Sequence, residues 1–246
     1  MRRHALLTLT LVAVSAAPLA AQGGMNHDPD KKADGGTMPS GWTGRTDKAG
    51  AKLEDAKFVT MGGGFHVTSG PAAIYWNGAN RTSGAFTATA TFTQTKAPMH
   101  PEAYGVFFMG KDLDAAAQNY AYFLVRGDGK VMVKHRAGAD VHTILDWTEN
   151  AAVHKQDASG KATNTLMVDA SKADSVRLFV NGAPIAAMPG GHMGSTDGYV
   201  GLRVNHNLDV HVSDFTVTPK ASADAPMKEE KVAKAATHKK KHKAKS

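Results

Sequence analysis

The sequence predicts an all-β protein, a sandwich or barrel of about a dozen short strands. Three observations carry this. From Gly84 to Thr93 the chain alternates strictly. Phe86, Ala88, Ala90 and Phe92 face one way and Thr87, Thr89, Thr91 and Thr93 the other, which is the period of a strand with one buried face. Two dipeptides, Asp128-Gly129 and Asn181-Gly182, sit between aromatic and β-branched runs, where a tight hairpin turn needs positive φ. Helical periodicity is nearly absent, and only Asp112 to Gln118 reads as a helical turn.

Taken in order, the chain opens MRRHALLTLTLVAVSAAPLAAQ: two arginines, a short apolar run and small residues up to Ala21. This predicts a secretory signal peptide over residues 1–21, and with it a secreted or periplasmic protein. Residues 22–40 are rich in Gly, Asp and Lys and predict a flexible leader. Residues 41–219 form the predicted domain, and Trp42 is expected to pack at its edge. Expected strands are Lys57–Met61 and Gly64–Thr68 around Gly62-Gly63, then Ala72–Trp76, Gly84–Thr93 and Tyr104–Met109. Further strands follow at Val141–Trp147, Asn164–Asp169, Ser175–Val180, Ala183–Met188, Gly198–Asn205 and Asp209–Thr218. In the last of these the apolar phase changes between Val212 and Phe215, which predicts a bulge near Ser213-Asp214.

The stretch Asn119–Gly138 is the centre of the pattern. With Asp128-Gly129 as a two-residue turn, Arg126 pairs with Val131, Leu124 with Val133 and Tyr122 with His135 on one face. Val125 then meets Met132, and Phe123 meets Lys134, on the other. Both faces are partly apolar, so this hairpin is expected mid-sheet, with the core on one side and a groove on the other. The triplet Arg126-Gly127-Asp128 matches an adhesion motif, but the turn chemistry accounts for it.

There is no cysteine, which excludes disulfides, thiolate nucleophiles and thiolate zinc sites. The net charge of +7 is local: residues 22–225 hold 19 basic and 20 acidic side chains, while Pro226–Ser246 holds eight Lys and two Glu. The high pI is therefore no argument for specific nucleic-acid binding by the domain. Residues 220–246 form a Lys- and His-rich tail without the apolar residues to fold, and attraction to an anionic envelope polymer is its functional reading. No stretch after the signal peptide is apolar enough to be transmembrane.

The motifs GWTGR, FHVTSGPAAIYW, YGVFFMGKDL, QNYAYFLVRGDGKVMVKHRAG, SVRLFVNG and GYVGLRVNHNLDVHVSDFTV, in this order, resemble the concanavalin A-like lectin/glucanase superfamily. Within it they look most like the 3-keto-disaccharide hydrolase-like domains of exported bacterial proteins. The resemblance spans roughly residues 41–218 and implies a two-sheet antiparallel jelly-roll sandwich with disordered N- and C-terminal segments. It also implies that a sugar site lies on the concave sheet face. His206, in the turn Asn205-His206-Asn207, stands where such domains carry a turn histidine.

Candidate chemistry follows. Glucanases of the superfamily carry a Glu-x-Asp-x-x-Glu strand, which is absent here; Glu54, Glu102 and Glu149 are the only Glu between Gly41 and Lys220. A keto-glycoside hydrolase or lyase would need a base and cationic stabilisation of an enediolate. His206 and Asp209 are the candidate catalytic pair, with Arg203, Asn205, Lys111 and Arg126 as polar substrate ligands. Tyr75 and Trp76, at a strand end before Asn77-Gly78, are the candidate stacking rings. Calcium is the one cofactor left open, through Asp197, Asp209 and Asp214. The leading expectation is a carbohydrate-recognition domain for a glycan or small carbohydrate. The alternatives are that keto-glycoside enzyme and a structural envelope protein held to polyanions by its tail.

Overall fold

The computed structural model describes residues 29–33, 35–172, 174–189 and 195–220. The predicted signal peptide and nearly all of the basic tail lie outside the described residues.

Among the described residues fourteen strands form two antiparallel seven-stranded sheets. They are β1 (Trp42–Thr46), β2 (Lys57–Met61), β3 (Gly64–Thr68), β4 (Ala73–Thr82), β5 (Phe86–Gln94), β6 (Ala103–Lys111) and β7 (Asn119–Arg126). β8 (Lys130–Ala137), β9 (Asp140–Glu149), β10 (Ala162–Lys172), β11 (Ser175–Val180), β12 (Ala183–Pro189), β13 (Gly198–Val204) and β14 (Asp209–Pro219) follow. The first sheet runs β1-β4-β13-β6-β7-β8-β9 and the second β12-β11-β10-β5-β14-β3-β2. Among the described residues a single 3-10 turn, Leu53–Asp55, is helical, and no helix is long and apolar enough to cross a membrane.

The core lies between the sheets. Phe86, Ala88, Ala90 and Phe92 are buried, as are Val176, Leu178 and Val180, so the alternation places these strands as expected. Facing them from the first sheet are Tyr104, Val106, Phe108, Phe123, Val125, Val131, Val133 and Leu202. Trp42 closes one edge, packed on Phe58, Phe65 and Phe215 with ring centroids 5.1, 4.9 and 5.7 Å away. The bulge in β14 falls where the phase change put it: the register shifts between Ser213 and Thr216, and Asp214 has φ +53°.

Two expectations are corrected. Asp112–Gln118 is a pair of turns, not helix: Ala115 donates to the Asp112 carbonyl and Gln118 to that of Ala115, and Asp112 itself has φ +50°. The β7–β8 hairpin has a different register. Leu124 pairs with Met132, Tyr122 with Lys134 and Tyr120 with Arg136. The loop is Gly127-Asp128-Gly129, a turn closed by Gly129 N–H to Arg126 C=O at 3.0 Å, with Gly129 at φ +93°. The extra loop residue slides β8 by one position, which turns every one of its side chains over. Val131, Val133 and His135 go inward, and Met132, Lys134 and Arg136 join the tyrosines outside.

Candidate functional site

Strand alternation gives the first sheet a second apolar layer, on the side away from the core. Tyr120, Tyr122 and Leu124 of β7 point there while Ala121, Phe123 and Val125 point inward. Ile74, Trp76, Phe107, Leu113 and Met132 complete the layer, with Trp147 and Tyr199 packed half-buried against it. Tyr120 stands between Phe107 and Tyr122, at centroid distances of 5.4 and 5.7 Å. The 112–118 loop drops Leu113 into this layer and is pinned by Arg45, which donates to the carbonyls of Leu113 and Ala115.

Where that loop leaves β6, a cleft of about 550 Å³ opens on the outer face. Trp76, Tyr199 and Thr43 line it, with Arg81, Lys111, Asp112 and Asp114 around its mouth. The Arg81 guanidinium lies 5.5 Å from the Tyr199 ring centroid. Nearby, Asp197 accepts the Gly84 N–H at 2.6 Å, and this hydrogen bond holds its carboxyl below the usual range. Such a cleft can stack a flat, partly apolar ligand and hydrogen-bond its polar edge.

The middle of the face is built around Arg203. Its guanidinium forks onto Asp47, Nη1 to Oδ1 at 2.8 Å, and sits 4.5 Å from the Tyr122 ring centroid. Burial works against its charge, but Asp47 outweighs that and raises its pKa. Burial also raises the phenols of Tyr120 and Tyr122, which therefore stay neutral donors.

At the far end of β13, about 20 Å from the cleft by strand rise, the Asn205-His206 turn forms a polar knot. His206 Nε2 meets Glu102 at 2.7 Å and Nδ1 meets Asp30 at 3.2 Å, while Asn205 donates to the second Glu102 oxygen at 3.1 Å. Asn207 holds the backbone of Pro29 and Lys31. The histidine thus bridges the Asp30 and Glu102 carboxylates, and Asn207 adds backbone bonds to the residues on either side of Asp30. Arg126 belongs to the same end: it bonds Asp128, feels Glu102 and lies 4.6 Å from the Trp147 ring centroid.

Six of the eight residues singled out in the sequence lie on or around this face: Trp76, Lys111, Arg203, Asn205, His206 and Arg126. The face does not bring them into one site, because cleft, centre and knot are spread along it. Two lie elsewhere. Tyr75 points into the core, 0% exposed and packed on Phe58, so it offers no stacking surface. Asp209 is on the outer face of the second sheet, held by His66 and Lys96, both at 3.1 Å, and by Thr95. The pair His206 and Asp209 is separated by the same alternation that buries Val210. Among the described residues no three His, Asp or Glu side chains gather as metal ligands; Asp197, Asp209 and Asp214 each bond within a different neighbourhood.

Sequence reasoning missed Asp47, Arg45, Arg81, Tyr120, Tyr122, Arg136 and Tyr199. Tyr120 and Tyr122 had a signal, since β7 is apolar on both parities. The others become neighbours only through sheet order.

No protein-family model and no curated protein matches the chain. Solved structures do. A carbohydrate-binding module, CBM66 from Bacillus subtilis, superposes with TM-score 0.53 at 16% identity, over 72% of this chain and 95% of the module. A Bacillus subtilis protein of unknown function with a galectin-like fold gives 0.52 at 14%, over 72% and 88% of the two chains. The fold is the concanavalin A-like jelly roll. A Bacillus licheniformis β-glucanase shares this jelly roll at TM-score 0.51 and 9% identity, over 75% of this chain and 95% of the enzyme. At such identities the likeness establishes the concanavalin A-like fold and leaves function to the residues.

Proposed function

We propose that this chain is an exported carbohydrate-recognition domain that takes a glycan on the outer face of its first sheet. The observation that carries the reading is the cleft: two rings, Trp76 and Tyr199, beside exposed Arg81, Lys111, Asp112 and Asp114. A sugar ring presents an apolar face to an aromatic and its hydroxyls to charged groups, which this arrangement supplies together. A carbohydrate-binding module and a β-glucanase share the jelly roll, which supports the reading at the level of fold. A glycan array on the protein, followed by calorimetry on Lys111→Ala and Tyr199→Ala, tests it. Both side chains are partly or fully exposed, so both variants should fold. A bound glycan should lose at least about fivefold in affinity in each, roughly the loss of one good contact. Undiminished affinity in both would remove the cleft from the site.

A further inference from the structure

The outer face of the first sheet holds more positive charge at its centre than its own carboxylates neutralise. Three guanidiniums, those of Arg45, Arg136 and Arg203, act on the one carboxylate of Asp47. Only Arg203 is paired with it. Among the described residues Arg45 and Arg136 make no ion pair. Arg45 gives its Nη1 to the Leu113 and Ala115 carbonyls, and Arg136 reaches the Gly138 carbonyl at 3.5 Å. Arg203 is 6% exposed, and both its Nε and that of Arg136 are buried without a hydrogen-bond partner. Burial pushes the Asp47 carboxyl up, yet Arg203, Arg136 and Arg45 together hold it below the usual carboxylate range. Asp47 offsets the burial of Arg203, its forked partner, and among the described residues Arg136 and Arg45 have no carboxylate of their own. The charge continues across the face: Lys134 pairs with Tyr122 along the strands, and Arg81 and Lys111 stand at the cleft, where Asp112 and Asp114 balance them.

We propose that the glycan of this face is acidic, and that a uronate carboxylate docks against Arg136 and Arg45 beside the Asp47–Arg203 pair. The inference rests on the carbohydrate reading above. A planar carboxylate accepts two parallel N–H bonds from a guanidinium fork, and Arg203, stacked on Tyr122 and clamped by Asp47, fixes the wall it meets. A neutral sugar would leave the excess charge uncompensated.

The test compares an oligogalacturonate with its methyl ester, the same backbone without charge, by calorimetry on the full chain and on Arg136→Gln. Because the basic tail is present in both proteins, the difference between them reports the sheet face. The acid should bind at least about tenfold more tightly than the ester, and Arg136→Gln should lower affinity for the acid about tenfold while leaving the ester unchanged. Arg45→Gln, the other cation acting on Asp47 without pairing to it, serves if the first variant does not fold. Equal binding of acid and ester, or an acid affinity indifferent to both substitutions, overturns the inference. If neutral glycans bind and the acid has no advantage, the inference falls and the carbohydrate reading stands. If neither acid, ester nor any arrayed glycan binds, both fall.

Discussion

Asp47 is the side chain on which the sheet face depends most. It is the single anion among three arginines, and its own side chain is only 24% exposed. Asp47→Asn keeps the shape and removes the charge, leaving Arg203 buried and unpaired. Stability should fall by about 2 kcal/mol, less than for a fully buried pair because Asp47 is partly wet. A denaturant midpoint unchanged at constant slope would show that the pair is screened by water. A second prediction concerns His66. Burial lowers its pKa, and the neighbouring His211 adds to this, against the opposing pull of Asp209. The folded state therefore takes up its proton later than the unfolded chain, whose histidine titrates near 6.5. Its contribution to stability is full above that pH and is lost as pH falls toward the lower folded value. His135, also lowered by burial and by His142, adds in the same direction. The melting temperature should drop between about pH 7 and pH 5, and drop less in His66→Gln. A variant curve parallel to the wild type would assign the acid sensitivity elsewhere. Trp76 and Lys111 were legible as residues, one a ring at a strand end and the other a cation after an apolar strand. Asp47 was not, because nothing near it in sequence says that Arg203 will arrive beside it.

At the scale of elements, strand existence was legible and register was not. Alternation in β5 and the turn at Asn181-Gly182 both stand: Val180 pairs with Ala183, and Asn181 and Gly182 have φ +49° and +82°. The β7–β8 turn misled because Gly127-Asp128-Gly129 admits loops of two or three residues with the same dipeptide. What selects three is tertiary. Arg126 reaches back to Asp128, Nε to Oδ1 at 3.0 Å, and the backbone of Asn150 and Gln156 bonds Gly129 and Gly127. That one residue decides whether Arg136 and Lys134 face the core or the tyrosines. The Asn181-Gly182 turn offers the cleaner test. A side chain at Gly182 meets nothing within 4 Å, so the whole cost of Gly182→Val is its backbone at positive φ. A loss of more than about 1 kcal/mol is expected. A melting temperature that does not move would mean the turn has another backbone form in solution.

At the scale of the molecule, the charge is divided between a near-neutral body and a cationic end. We propose that the tail holds the domain near polyanions. Removing residues 226–246, with their eight Lys, should abolish salt-sensitive retention on an anionic column and leave melting nearly unchanged. If the truncated protein is retained as strongly, the arginines of the sheet face carry that attraction instead. The fold class was legible because two-residue periodicity needs only neighbours in sequence. The order of strands was not, because it is set by which distant edges close over the core.

That order has a consequence for how the molecule comes into being. β13 lies between β4 and β6, and β14 between β3 and β5, so the last two strands among the described residues are interior to their sheets. A growing chain that has reached Asp197 has two split sheets with four unpaired edges, and no Tyr199 or Arg203. Its cleft wall and its central cation are still to be synthesised. Pairing such as Leu202 with Tyr75 must close a loop over most of the domain before it gains anything, which slows folding and makes it all-or-none. A chain stopped at Asp197 should therefore show no cooperative unfolding, whereas one stopped after Lys220 should melt like the whole. The proposed binding face is completed only together with the fold.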